Sequence, residues 1–560
     1  MFGLSLLEKL KIKYQSKFSN DIDYYIFILI FFYIVLLACS SWFDWDYFHT
    51  TIFIDTEIIK NFQIPKWSYK FCGGVSRIGD PQSFGLNPLI LIPIIWGPII
   101  GSRLMIIFAL VIAYLSLKKI FEFYEMSSKA SSLSSFGILT SSFYINHFHH
   151  GHLTFISFLF SFYIIRIVLV KEQIKNFSRK TFKCSLIFIF LISGGGHPGI
   201  IYFLFPFFLA TLIIDIFEFS FYRKISLDKY KIIILSLSIA AALSYYKISY
   251  LFDYQKTYPR TVDIHEVFSV KDHLISLSLP LKNFSLPFGL KTGVWHEWEN
   301  NYFSLFPFLL VLIIFRRKKI YERNINYIFI YVLIFSAFSL GYFSDFSPFA
   351  ILNKYFLNNS LRVSSRFFYG GWLFLAMYAL ISFFHRYKSL KALKFIVFIN
   401  TIVIFVGTFS DGSVLKKLLY RTINYETLYQ DRKRDVNFNF VKFNHRGPFY
   451  TDMLSVVLDN YSVLNCYNPL NRDNEYKIGK ESFAKLQSGE ALPFITSFDL
   501  NGLSDFCLNE SYISHQSIYI SKNCPSKLRL RLNSINIYAP ANERKNFKKD
   551  RAVGGIYLEK

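Results

Sequence analysis

The chain has 560 residues, 52% of them hydrophobic and 18% charged, with 65 Phe, 38 Tyr and a mean hydropathy of +0.31. That balance excludes a soluble globular domain, a disordered chain and a coiled coil, and six Cys are too few and too scattered to make a disulfide scaffold. The formal charge of +24 is carried mainly in short segments between apolar blocks, as at Arg316, Arg317, Lys318 and Lys319, so the acidic partner it implies is a bilayer with anionic cytoplasmic lipids, not nucleic acid.

The apolar residues fall in blocks of roughly 16–22 residues, the length that crosses a hydrocarbon core of about 30 Å. Spans are predicted near 25–43, 101–117, 131–147, 152–170, 182–196, 198–218, 230–250, 301–315, 326–343, 366–384 and 393–409, giving an α-helical polytopic membrane protein of about eleven helices. The stretch 87–98 is short and holds Pro88, Pro93 and Pro98, so it reads as an interfacial helix leading into the next span. Lys and Arg alternate sides along this series. They gather at Lys9 to Lys17, Lys118 and Lys119, Lys171 to Lys180, Arg223 and Lys224, Arg316 to Arg323, and Arg386 and Lys388, whereas the connections at 147–152 and 193–200 carry none. The expected topology has a cytoplasmic N-terminus (1–24), a membrane domain over 25–409 with outer loops at 44–100 and 251–300, and an extracytoplasmic C-terminal part over 410–560. Leu36-Leu37-Ala38-Cys39 imitates a lipoprotein signal, but the bulky Leu37 and the long polar start favour an uncleaved anchor.

In chain order, the unusual polar residues lie on the outer side. Asp44 and Asp46 sit among aromatics directly after the first span, where two carboxylates can act as a general base or hold a metal, or can simply be solvated beside the interfacial anchors Trp42 and Trp45. The same loop continues through Pro65-Lys66-Trp67, Cys72-Gly73-Gly74, Asp80-Pro81-Gln82-Ser83 and Asn87-Pro88, punctuated for tight turns and long for a mere connection. His147, His149, His150 and His152 form the densest histidine cluster, with substrate contact, a metal, or hydrogen bonding to water and headgroups as the alternatives. The glycines at 194–196 and 199 fit close helix approach better than phosphate cradling. His296 and Glu297 are adjacent near the end of the 251–300 loop, without a zincin motif. Arg362 and Arg366, four apart, would share one helical face suited to phosphate, or serve as snorkelling anchors. Beyond residue 410 the long apolar blocks end. Lys527 to Leu532 alternates as a half-buried strand with Ser517 to Ile520 as its expected neighbour, so a small β-rich domain is predicted, with a Cys507–Cys524 disulfide as one option.

The order Asp44-Trp45-Asp46, Pro65-Lys66-Trp67, Cys72-Gly73-Gly74, Pro81-Gln82-Ser83, Asn87-Pro88, Gly151-His152 resembles the YfhO-like bacterial polytopic proteins. His296-Glu297, Arg362-Val363-Ser364-Ser365-Arg366-Phe367 and Asn465-Cys466-Tyr467 are similar to that group's later landmarks, although no proline stands between the two arginines. The group's architecture resembles the C-type (GT-C) glycosyltransferases. The resemblance implies a bacterial inner-membrane enzyme that moves a sugar, with inversion, from a polyprenyl-phosphate carrier to a glycan, lipid or protein acceptor of the cell envelope. Asp44 or Asp46 would be the base, and His152, His296, Glu297, Arg362 and Arg366 would contact substrate, with a divalent cation (Mg or Mn) optional. A flippase for a lipid-linked glycan and a non-catalytic envelope-assembly protein are the alternatives, and the first would place strongly polar residues at mid-span.

Overall fold

The computed structural model describes residues 24–38, 52–170 (apart from 53–54, 57, 61, 63, 65–66, 69–74, 82 and 150–151), 177–196, 198–222, 227–257, 270, 304–307, 309, 327–357, 361 and 363–409, and four short strands beyond. Asp44, Asp46, His296, Glu297, Arg362, most of the 301–315 span, Cys39, the three tail cysteines and the Lys527–Leu532 run lie outside the described residues.

The described part is mostly helical. The helices are α1 (Tyr24–Ala38), α2 (Leu91–Trp96), α3 (Pro98–Phe123), α4 (Ser128–Leu139), α5 (Ser142–His149), α6 (Ile156–Leu169), α7 (Phe177–Ser193), α8 (Phe205–Tyr222), α9 (Asp228–Leu243), α10 (Tyr245–Thr257), α11 (Ile328–Ser339), α12 (Pro348–Ile351), α13 (Phe368–Tyr387) and α14 (Leu390–Phe409). Among the described residues three helices are long and apolar enough to cross a membrane, Ile100–Phe123, Gly199–Ser220 and Ser364–Tyr387, and a fourth if the bent pair Asp228–Leu243 and Tyr245–Asp253 is one span. Shorter apolar helices run over Tyr24–Leu37, Leu153–Leu169 and Ile328–Ser339.

These helices are apolar on both sides, as a helix between lipid and protein must be. In α1, Leu29, Tyr33, Leu36 and Leu37 are buried while Phe27, Phe31 and Ile34, spaced four and three apart, face outward. In α14, Phe395, Phe398 and Ile402 make a similar outward stripe. One interior helix, α4, is rich in small residues. From Ala130 to Leu139 every residue of α4 is buried, including Ser131, Ser132, Ser134 and Ser135, and the helix packs on α3 and α14. Ser135 Oγ donates to the Ser131 carbonyl at 2.7 Å, and the Thr140 and Thr401 hydroxyls meet at 2.9 Å, tying α4 to α14.

Two predicted spans are broken. The 131–147 block becomes α4 and α5 because the Thr140 hydroxyl turns back onto the Phe136 and Gly137 carbonyls and closes the first helix. The 230–250 block bends by 71° at Ser244, between α9 and α10. The 87–98 stretch is a 3-10 turn over Pro88–Ile90 followed by α2, which stops at Gly97 with φ +79°, a conformation that suits glycine, before Pro98 opens α3.

The strands are short antiparallel pairs: β1 (Trp67–Ser68) with β2 (Val75–Ser76), β3 (Asn439–Lys442) with β5 (Ser517–Ile520), and β4 (Tyr461–Val463) with β6 (Tyr557–Glu559). Ser517–Ile520 therefore pairs with Asn439–Lys442, a partner that no alternation in the sequence indicated.

Candidate functional site

Two polar clusters are built into the helical part. The first lies in the loop between α1 and α2. Arg77 is wholly buried and grips Asp55 with Nε at 2.9 Å and Nη2 at 3.0 Å, while its Nη1 reaches Asp80 at 2.8 Å. Asp55 Oδ2 also accepts from the Ser83 hydroxyl at 2.9 Å and the Phe84 amide at 3.0 Å. Lys247, on α10, donates to the Asp80 carbonyl at 2.6 Å and reaches toward that of Ser83 at 3.5 Å. Two cations and two carboxylates thus balance in a place where a lone charge would be costly. With its oxygens spent on four donors, Asp55 is a structural anion and not a free base. Next to it, Asn87 accepts from the Leu89 amide at 2.9 Å and donates to the Phe190 carbonyl at 3.0 Å, joining the loop to α7.

Of this cluster the sequence reading singled out Asp80, Ser83 and Asn87 but missed Asp55, Arg77 and Lys247. One signal was available: Lys247, with Lys231, is one of two cations inside the predicted 230–250 span, and a cation there implies a partner. Arg77 and Asp55 carried none, since their loop separates them by turns that the sequence does not specify.

The second cluster gathers where α5 turns into α6. The chain leaves α5 and re-enters through a 3-10 turn, Leu153–Phe155, whose first flanking residue is His152. The His152 amide donates to the His147 carbonyl at 2.9 Å, closing the turn and placing the two imidazoles side by side, with Nδ1 to Nδ1 at 2.8 Å. Phe155 is the platform. The His147 ring stacks on it with centroids 3.8 Å apart and planes 10° from parallel, and the His152 ring lies 5.7 Å away. The Arg366 guanidinium stands 5.6 Å from the Phe155 centroid and 5.7 Å from that of Tyr202. Below, Phe143 stacks on Tyr369 at 4.1 Å and meets His147 at 4.6 Å, and the hydroxyls of Tyr144 and Tyr369 are hydrogen-bonded.

Several elements hold this cluster. Arg366 lies in a 3-10 turn, Ser364–Phe367, that leads into α13, and the preceding Val363 is extended at φ −108° and ψ 93°. The expected common helical face of Arg362 and Arg366 involves Arg362, which lies outside the described residues. Tyr202 sits in the π-helical segment Gly199–Leu204, and Gly199 makes the approach to α6, where a Cβ would come within 2.8 Å of the Ser157 backbone and where its amide donates to Ser157 Oγ at 3.0 Å. Of the predicted site residues, His152 and Arg366 lie 5.7 Å and 5.6 Å from the Phe155 ring centroid. Asp44, Asp46, His296, Glu297 and Arg362 are outside the described residues.

A guanidinium 5.6 Å and 5.7 Å from the centroids of two aromatic rings, one of which also carries an imidazole pair, suits an anion with several oxygens, because fork geometry and neutral or positive donors match phosphate. Among the described residues no group of three or more His, Cys, Asp or Glu side chains converges as a metal site. No family model, curated protein or solved structure matches the chain.

Proposed function

We propose that the chain is a membrane glycosyltransferase that transfers a sugar from a polyprenyl-phosphate carrier to a glycan, lipid or protein acceptor on the outer face of the bacterial inner membrane. What supports the reading is that Arg366 and His152, far apart in the chain, lie 5.6 Å and 5.7 Å from the Phe155 ring centroid, with Arg366 near Tyr202 as well. Asp44 or Asp46 takes the proton from the acceptor hydroxyl, whose oxygen attacks the anomeric carbon. The bond from that carbon to the phosphate oxygen breaks, and the negative charge that develops on the phosphate is met by Arg366 and His152, with Arg362, His296 and Glu297 as further substrate contacts. The reading includes eleven spans, a cytoplasmic N-terminus and an extracytoplasmic β-rich tail that holds the acceptor.

Purified protein supplied with a panel of radiolabelled polyprenyl-phosphate sugars is expected to transfer label, and Asp44→Asn or Asp46→Asn to lower turnover by about a hundredfold or more. Full turnover in both variants removes the carboxylate from the mechanism, and no transfer from any donor, with carrier binding intact, transfers the assignment to a flippase. Periplasmic reporter fusions after residue 409 are expected to be active, and inactive fusions overturn the topology.

A further inference from the structure

His147 takes no part in the proposed transfer, yet it is almost fully buried, stacked flush on Phe155, and bonded through Nδ1 to the Nδ1 of His152. Two imidazole Nδ1 atoms 2.8 Å apart share one proton: one ring donates and the other accepts. The choice matters for His152. If its Nδ1 donates, its Nε2 is a bare acceptor that repels a phosphate oxygen. If its Nδ1 accepts, its proton sits on Nε2 and can be donated to that oxygen.

We infer that His147 is a positioning residue whose Nδ1–H donates to His152 and so holds the proton of His152 on Nε2, facing anionic substrate beside Arg366. The direction of the bond rests on the phosphate reading above; the pairing itself rests on geometry alone. The turn supplies the rigidity this needs. The His152 amide is bonded to the His147 carbonyl, and the His147 ring is stacked on Phe155 at 3.8 Å and meets Phe143 edge-on at 4.6 Å, so moving it away costs both ring contacts. Ligands elsewhere are oriented by similar outer partners, which set the tautomer of a histidine through its second nitrogen.

The test uses the full chain in nanodiscs, labelled with heavy nitrogen at histidine, with the His152 signals assigned by loss in His152→Gln. The wild-type spectrum is expected to show His152 as the Nε2–H tautomer. His147→Phe keeps an aromatic ring on Phe155 but removes the donor, and is expected to leave His152 averaging between tautomers. His147→Asn places an amide N–H near the lost Nδ1 and is expected to restore the Nε2–H form. Binding of farnesyl phosphate, followed by phosphorus NMR, is expected to weaken about tenfold in His147→Phe and to recover in His147→Asn, the scale of one hydrogen bond to a charged group. A wild-type His152 protonated on Nδ1, or a His152 spectrum unchanged in His147→Phe, overturns the inference. If wild-type protein binds no farnesyl phosphate while the tautomer result holds, the phosphate reading fails and the histidine pairing stands.

Discussion

Arg77 holds Asp55 in a two-pronged ion pair with both side chains fully buried, and neither end of that pair reaches water. Such a pair is expensive to break from one side. Arg77→Met is expected to destabilise the protein by about 3 kcal/mol, because the Asp55 carboxylate is left buried with only Ser83 and Phe84 as donors. Arg77→Lys is expected to lose most of that as well, since an ammonium cannot reproduce the fork. Arg77→Met combined with Asp55→Leu is expected to recover part of the loss. Thermal unfolding in detergent checks the series, and three variants melting with the wild type would mean that the loop is held by something else.

Lys247 carries α10 onto the loop through two backbone carbonyls, and methionine has nearly its length but none of its donors. Lys247→Met is expected to cost about 1–3 kcal/mol and to open the loop locally, before the helices unfold. Limited proteolysis reads this as faster cleavage within 77–90 at a temperature where the membrane helices remain protected. Unchanged cleavage would separate the bend at Ser244 from the loop contact.

The Asn87 amide lies against the Cα of Gly194, where a Cβ would meet Asn87 Nδ2 at 1.7 Å. Gly194→Ala is therefore expected to push Asn87 off the Phe190 carbonyl and destabilise by about 2 kcal/mol. Asn87→Ala alone loses the same hydrogen bond. The double variant is expected to fall well short of the summed losses, because the alanine at 194 then has room. Strict additivity in the denaturation cycle would contradict the contact.

The Arg366 guanidinium lies 5.6 Å and 5.7 Å from the Phe155 and Tyr202 ring centroids. Arg366→Lys keeps the charge and loses the fork, so sugar transfer at limiting donor is expected to fall about tenfold, and Arg366→Ala to fall further. Equal activity in the lysine variant would show that charge alone suffices there.

Much of the helical layout was legible in the chain. The apolar runs at 101–117, 366–384 and 393–409 correspond to α3, α13 and α14, and the proline-rich 87–98 stretch is a short helix ahead of α3. Thr140 and Ser244 interrupt two other runs, and the apolar composition on either side gave no sign of it. At the first the Thr140 hydroxyl turns back onto the Phe136 and Gly137 carbonyls, and just past the second Lys247 reaches a loop carbonyl. His152 and Arg366 were conspicuous as polar residues beside apolar blocks. Their common platform, Phe155, was one phenylalanine among 65.

Run length, charge alternation and the positions of proline and glycine are properties of the chain in one dimension, and they sufficed to determine that apolar helices form and roughly where. A helix in hydrocarbon satisfies its backbone within itself, so its existence needs no knowledge of its neighbours. Which polar groups meet does need that knowledge. The pairing of Arg77 with Asp55, the grip of Lys247 on the loop and the approach of Arg366 to the histidine turn were decided by tertiary structure, because a buried polar side chain takes its partner from whichever element packs beside it.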